Sequence, residues 1–187
     1  YLVNEVSGLR EVAPKLIGNA VGFYSADATE IFAMALARRG NDYVLLHEYV
    51  HHLTFQNFPF GYPAWFVEGY AEYFMTTTVD EAQIKVGLAS GRAEQLAFET
   101  WLPMQDVLSK RVAEIPSGQR DIFYAQSWLL THYLVSDPKR SQQLQAYLTA
   151  IGEGENSVAA MEAATGVKID AWERRLLTYL KGQTPYM

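Results

Sequence analysis

The sequence predicts an α+β fold: a small, mostly antiparallel sheet beside one helix, followed by a largely helical C-terminal half. Three observations lead there. Short runs rich in β-branched and aromatic residues fall early, at 21–24 and 30–36, around a polar turn at 25–29. Helical spacing of apolar residues takes over at about residue 42. From residue 121 onward, helical stretches are separated only by Pro- and Gly-containing breaks. A chain of 187 residues suits one domain, expected over 1–187. The sheet and a histidine cluster occupy about 1–110, and the helical half about 111–187.

Taken in order, "LREVAPKLIG" reads as a short helix or a loop, and the two strands follow. "RRGND" (38–42) breaks the pattern, and Asp42 is a plausible N-cap for a helix through Leu53. "NFPFGYP" (57–63) must be a loop, because two prolines and a glycine in seven residues stop any helix. Residues 65–76 return to helical spacing through Phe66, Tyr70, Tyr73 and Phe74. "AQIKVGL" (82–88) reads as a strand, "ASGR" (89–92) as a turn, and "TWLPMQDVLS" (100–109) as a loop with a short helix. An aromatic-rich helix is expected over 121–135, ended by "SDP". Further helices are expected near 140–151 and 158–164. A last one runs from an Asp170 cap to about Lys181.

Composition removes whole classes of chemistry. There is no cysteine, so disulfides, thiolate ligands and a cysteine nucleophile are excluded; any metal must be held by His, Asp or Glu. Net charge is −6 with no basic stretch, which argues against nucleic acid as a partner. No apolar run approaches the roughly 20 residues that span a bilayer, so no transmembrane segment is expected. The chain begins at Tyr1 with neither methionine nor leader, which reads as a processed or trimmed product. An exported bacterial protein fits this composition, although lack of cysteine does not fix the compartment.

Three of the four histidines fall within "VLLHEYVHHL" (44–53). Residues four apart on a helix share a face, so His47 and His51 can point two imidazoles at one ion. Glu48 projects beside that pair and can reach a water on the ion. This is the HExxH arrangement of zinc peptidases, with two nitrogen ligands and a carboxylate base. His52 lies about 100° further round and should not share the ion. HExxH also arises by chance in unrelated helices, so a third ligand is required. Two candidates lie in "PAWFVEGYAEYF": Glu68, with sixteen residues after His51, and Glu72, with twenty. They share a helical face, and their aromatic neighbours argue against two freely solvated glutamates.

"HEYVH" followed by "PAWFVEGYAEYF" resembles the gluzincin clan of metallopeptidases. It is most similar to bacterial peptidase-MA-like proteins, which are related to thermolysin and the M1-type aminopeptidases. The resemblance covers about 42–134 and implies a zincin-like fold and hydrolysis of peptide or protein substrates with one Zn2+ per chain. It assigns His47, His51 and Glu68 as metal ligands, because the glutamate before Gly-x-Ala is the clan's third ligand. Glu48 becomes the general base and Glu72 a brace for a ligating histidine. The spacing departs from better-known members, whose third ligand follows after about eighteen or nineteen residues, between the two candidates.

Such hydrolysis needs a donor for the developing oxyanion. "IFYAQSWLLTHYL" (122–134) resembles the M1-type tyrosine helix, and Tyr124 takes the donor's position, although Gln126 and Ser127 replace that family's Lys and Gly. Ser127 has no G-x-S-x-G elbow around it and is not read as a nucleophile. His132 reads as a core or supporting residue. By the same resemblance, 29–36 is the edge strand for an extended substrate, while Phe32 and Met34 equally fit an ordinary core. The rival reading is a zinc-containing binding or scaffolding domain of the same fold without significant turnover. Oligomeric state, and endopeptidase versus aminopeptidase action, have no signature here.

Overall fold

The computed structural model describes residues 1–14, 22–26, 31–37, 42–57 and 61–182. The fold is α+β, mostly helical with a small sheet. Strands β1 (Leu2–Val3), β2 (Gly22–Ala26) and β3 (Ile31–Leu36) form one sheet in the order β1-β3-β2. β2 runs antiparallel to β3, with Gly22 opposite Ala35 and Ala26 opposite Ile31, while β1 joins β3 in parallel. Helix α1 (Val6–Val12) contributes Leu9, which is buried with Met34 and Leu36. The predicted strand starts at Val21 and Glu30, and most of the turn between them, lie outside the described residues.

β3 is the central strand. This corrects the expectation that 29–36 would be an edge for substrate. The N-terminal residues occupy its second side: Ala35 N–H donates to the Tyr1 carbonyl at 3.0 Å and Ala37 N–H to Val3 at 2.7 Å. The buried tail of the strand, Met34 to Leu36, suits a central position.

Helix α2 (Asp42–Asn57) packs on this sheet and extends past the expected end at Leu53. Side-chain capping by Asp42 lies outside the described residues. α2 inverts ordinary amphipathicity. Its buried positions are His47, His51 and Thr54, while Leu46, Tyr49 and Leu53 are 40%, 52% and 44% exposed. Burying polar side chains is costly unless they find partners, and α3 supplies them. Helix α3 (Ala64–Met75) starts after Pro63, whose carbonyl accepts from Phe66 and Val67 N–H.

After α3, β4 (Thr78–Val79) and β5 (Ile84–Lys85) make a two-stranded ladder, so the strand expected over 82–88 is only two residues long. Gly87 ends it. Its φ of +77° is strained for any side chain, and a Cβ there would sit 2.3 Å from the Tyr73 ring. A 3₁₀ turn at Gly91–Glu94 and short helices α4 (Gln95–Phe98) and α5 (Met104–Ser109) lead to α6 (Arg120–Val135).

α6 is the axis of the helical half. Ile122 to Leu134 are buried except Tyr124, so this helix has no solvent face over that stretch. Gln126 is wholly buried and grips the preceding loop through both amide atoms, to Leu102 N at 2.8 Å and Leu102 O at 3.0 Å. α3 crosses α6 at Gly69, where a Cβ would lie 2.3 Å from the Ser127 carbonyl oxygen.

Helices α7 (Pro138–Gly152), α8 (Ser157–Thr165) and α9 (Trp172–Gly182) complete the chain. Asp137 caps α7 by accepting from Arg140 N–H at 3.0 Å, with Pro138 in the first turn. Asp170 does not cap the last helix. It lies inside a 3₁₀ turn (Ile169–Ala171) closed by Ala171 N–H to the Lys168 carbonyl, so α9 starts at Trp172. A buried relay ties α7 and α8 to α3: Trp65 Nε1 donates to Tyr147 Oη at 2.9 Å, and Tyr147 meets Ser157 Oγ at 2.7 Å.

Candidate metal centre

α2 and α3 bring three ligand-type atoms together. His47 and His51, one turn apart, turn their Nε2 atoms to within 3.0 Å of each other, with ring planes at 87°. From α3, Glu68 Oε2 lies 3.2 Å from His47 Nε2 and 3.3 Å from His51 Nε2. The edges of this triangle can be compared with a tetrahedral zinc site. Metal–ligand bonds of about 2.0–2.1 Å place ligand atoms roughly 3.3 Å apart. Two imidazole nitrogens and one carboxylate oxygen also match zinc's preferred donors in a cysteine-free chain. The residues present fit such an ion, and the remaining position of the tetrahedron has no protein ligand in the group.

Glu72, one turn beyond Glu68, serves a different atom. It is wholly buried, and its Oε1 lies 3.4 Å from His47 Nδ1. The two atoms are in contact without a hydrogen bond, because the geometry at Nδ1 is poorly aligned. Glu72 Oε1 also receives Nη1 of Arg92, and its Oε2 accepts from Ser90 Oγ at 3.3 Å. The two glutamates thus address opposite nitrogens of one imidazole. His51 Nδ1 is buried with no hydrogen-bond partner among the described residues.

The charges follow the geometry. Burial alone would raise the Glu68 carboxyl, but hydrogen bonds and charge from His47 and His51 outweigh it and hold it at about 2. Burial likewise would lower His51, yet the hydrogen bond and charge of Glu68 leave it above its ordinary value. Glu48, half-buried beside His47, is raised: burial dominates and the Glu68 charge adds, against the opposing pull of His47, His51 and Arg92. A carboxyl with raised proton affinity is suited to accept and pass on a proton.

Tyr124, on α6, brings its ring centroid to 6.3 Å from that of His47. Burial, and then the Glu68 charge, push its phenol well above the ordinary tyrosine value, so it stays protonated and able to donate. The Arg92 guanidinium lies 4.5 Å from its ring centroid. Other sequence candidates go elsewhere. His52 Nδ1 meets Tyr24 Oη at 3.3 Å on the sheet side, and buried His132 pairs with Tyr179 at 2.8 Å. Ser127 is buried under the α3–α6 crossing.

No family model, curated protein or solved structure matches this chain. Arg92 and Ser90 carry no signal in the sequence, where "ASGR" reads as a plain turn. A buried glutamate needs a cation, and that need was readable; nothing in the pattern singled out Arg92 among fifteen Lys and Arg residues. Among the described residues, no helix is long and apolar enough to cross a membrane.

Proposed function

We propose that this chain is a zinc-dependent peptidase of the gluzincin type with a zincin-like fold. The observation that carries the reading is the triangle of His47 Nε2, His51 Nε2 and Glu68 Oε2, with edges of 3.0–3.3 Å. His47, His51 and Glu68 would hold one zinc ion. Bound there, zinc supplies Lewis-acid chemistry, polarising a scissile carbonyl and lowering the pKa of an attacking water. Glu48 accepts the proton of the attacking water and delivers it to the leaving amine, a task its raised proton affinity suits. Tyr124 donates its phenolic proton in a hydrogen bond to the oxygen on which negative charge develops. Glu72 orients His47 from behind.

Metal analysis of purified protein and assay against a broad peptide library test this together. About one zinc per chain, with cleavage that is lost in Glu48→Gln while zinc is kept, is the expected result. Zinc without cleavage would favour a binding or scaffolding domain. Less than about a tenth of an equivalent, in protein never exposed to chelator, would end the metal reading.

A further inference from the structure

The arginine beside this site has no assigned part in the chemistry above, yet its placement is specific. Arg92 stands in the 3₁₀ turn Gly91–Glu94 and touches α3, which carries Glu68 and Glu72, and α6, which carries Tyr124. Its Nη1 donates to the wholly buried Glu72 of α3. Its Nε lies 3.3 Å from Asp121 Oδ1, at the start of α6. Its guanidinium carbon lies 4.5 Å from the Tyr124 ring centroid, one turn along the same helix.

These contacts are unequal. The Asp121 side chain is 69% exposed, so that ion pair is well solvated and weak. Glu72 has no exposure, and its other contacts are a hydroxyl at 3.3 Å and the poorly aligned His47 Nδ1 at 3.4 Å. Arg92 is therefore what fixes the Glu72 carboxylate in place. A planar guanidinium can hold carboxylates with its edge while its face covers a phenol ring, which a lysine ammonium cannot reproduce.

We propose that Arg92 is a positioning residue of the metal centre: by clamping Glu72 against the outer nitrogen of His47 and covering the Tyr124 ring, it sets how tightly the centre holds its metal. The proposal rests on the zinc reading above. Without Arg92, a buried carboxylate would lose its cation and turn toward other partners, because an uncompensated buried charge is costly. His47 would then lose the group that fixes its ring. Losing an outer partner of a ligating histidine typically costs about 10- to 100-fold in metal affinity.

The test compares Arg92→Ala with the parent protein by zinc titration against a competing chelator, and by the visible absorption of the cobalt(II)-substituted forms. We expect zinc to bind at least about tenfold more weakly with a changed cobalt spectrum, beside a lower unfolding midpoint of the metal-free protein, because Glu72 is left without its cation. A merely structural salt bridge would shift unfolding and leave both metal readouts alone. Asp121→Asn, at the solvated end of the network, should leave zinc affinity unchanged. Should Arg92→Ala fail to fold, Arg92→Gln, which keeps part of the stem but is shorter and uncharged, carries the comparison, with the same weakening expected. Parent-like affinity and cobalt spectrum in the folded variant would overturn the role of Arg92 while leaving the zinc reading intact. Absence of zinc binding by the parent would end both.

Discussion

Glu72 Oε1 lies 3.4 Å from Nδ1 of His47, the ring nitrogen opposite the one that meets Glu68. Two glutamates one helical turn apart thus bracket a single imidazole, one at each nitrogen. The arrangement gives a physical meaning to the repeated carboxylate in "EGYAE". The first carboxylate can share an ion with Nε2, and the second can hold the ring that presents it. Metal-ligating histidines commonly use their second nitrogen this way.

The two glutamates should therefore fail differently. Glu68→Ala removes one of three ligand atoms and is expected to abolish stoichiometric zinc binding. Glu72→Ala leaves all three and should weaken binding by about 10- to 100-fold. Chelator competition on both variants decides it, and the reverse order of severity would exchange their roles.

Gly69 fixes the distance between α3, which carries Glu68 and Glu72, and α6, which carries Tyr124. A methyl group there would lie 2.3 Å from the Ser127 carbonyl and 2.5 Å from Thr131 Oγ1, with backbone on the far side of the first contact. Gly69→Ala should cost about 1–3 kcal/mol, which for a chain of this size lowers the unfolding midpoint by roughly 2–12 °C. Thermal unfolding with and without zinc measures it. An unchanged midpoint would mean that α3 and α6 do not cross this closely.

What could be read from the chain and what could not divide along physical lines. HExxH and the two later glutamates are local patterns on helices, and helical spacing alone puts each pair on one face. The central helix α6 was legible as a helix because of its length and its "SDP" stop. The position of β3 inside the sheet was not legible, because it depends on the N-terminal residues pairing with its outer side. Arg92 was hidden for the same reason: its link to Glu72 joins residues twenty apart across a turn, and no periodicity records such a contact. Asp170 shows the converse error. It had the chemistry of a cap, but a backbone-closed 3₁₀ turn already filled that place.

Zinc affinity should depend on pH through His51. Its folded value lies above the ordinary 6.5, so the metal-free site holds a proton that zinc must displace. Affinity is then full above that value and falls by about tenfold per unit of pH below it. Glu68, at about 2, competes only in strong acid and should not contribute near neutrality. In the metal-free protein the signs differ. The lowered Glu68 stabilises the fold above its unfolded value of 4.5, a contribution lost as pH falls toward 2. The raised His51 stabilises below 6.5, and that contribution is lost as pH rises through its folded value. These two contributions are thus present together between about 4.5 and 6.5. Titrations at several pH values check both statements, and a zinc affinity flat from about pH 5.5 to 7.5 would refute the first.

Tyr124→Phe separates donation by the phenol from support of the site. The ring still fits between His47 and Arg92 after the change, because those contacts use its edge and face. Zinc content and folding should therefore hold. Turnover should fall by about 10²- to 10³-fold, as when one donor to a developing oxyanion is removed, with KM little changed. The raised pKa of Tyr124 adds a second condition, since its phenol remains protonated across the ordinary assay range. An alkaline limb in the parent's pH–rate profile must then come from another group and should persist in Tyr124→Phe. Equal turnover in the two proteins would leave the oxyanion without this donor, and loss of zinc in the variant would place the tyrosine among the supports of the metal site.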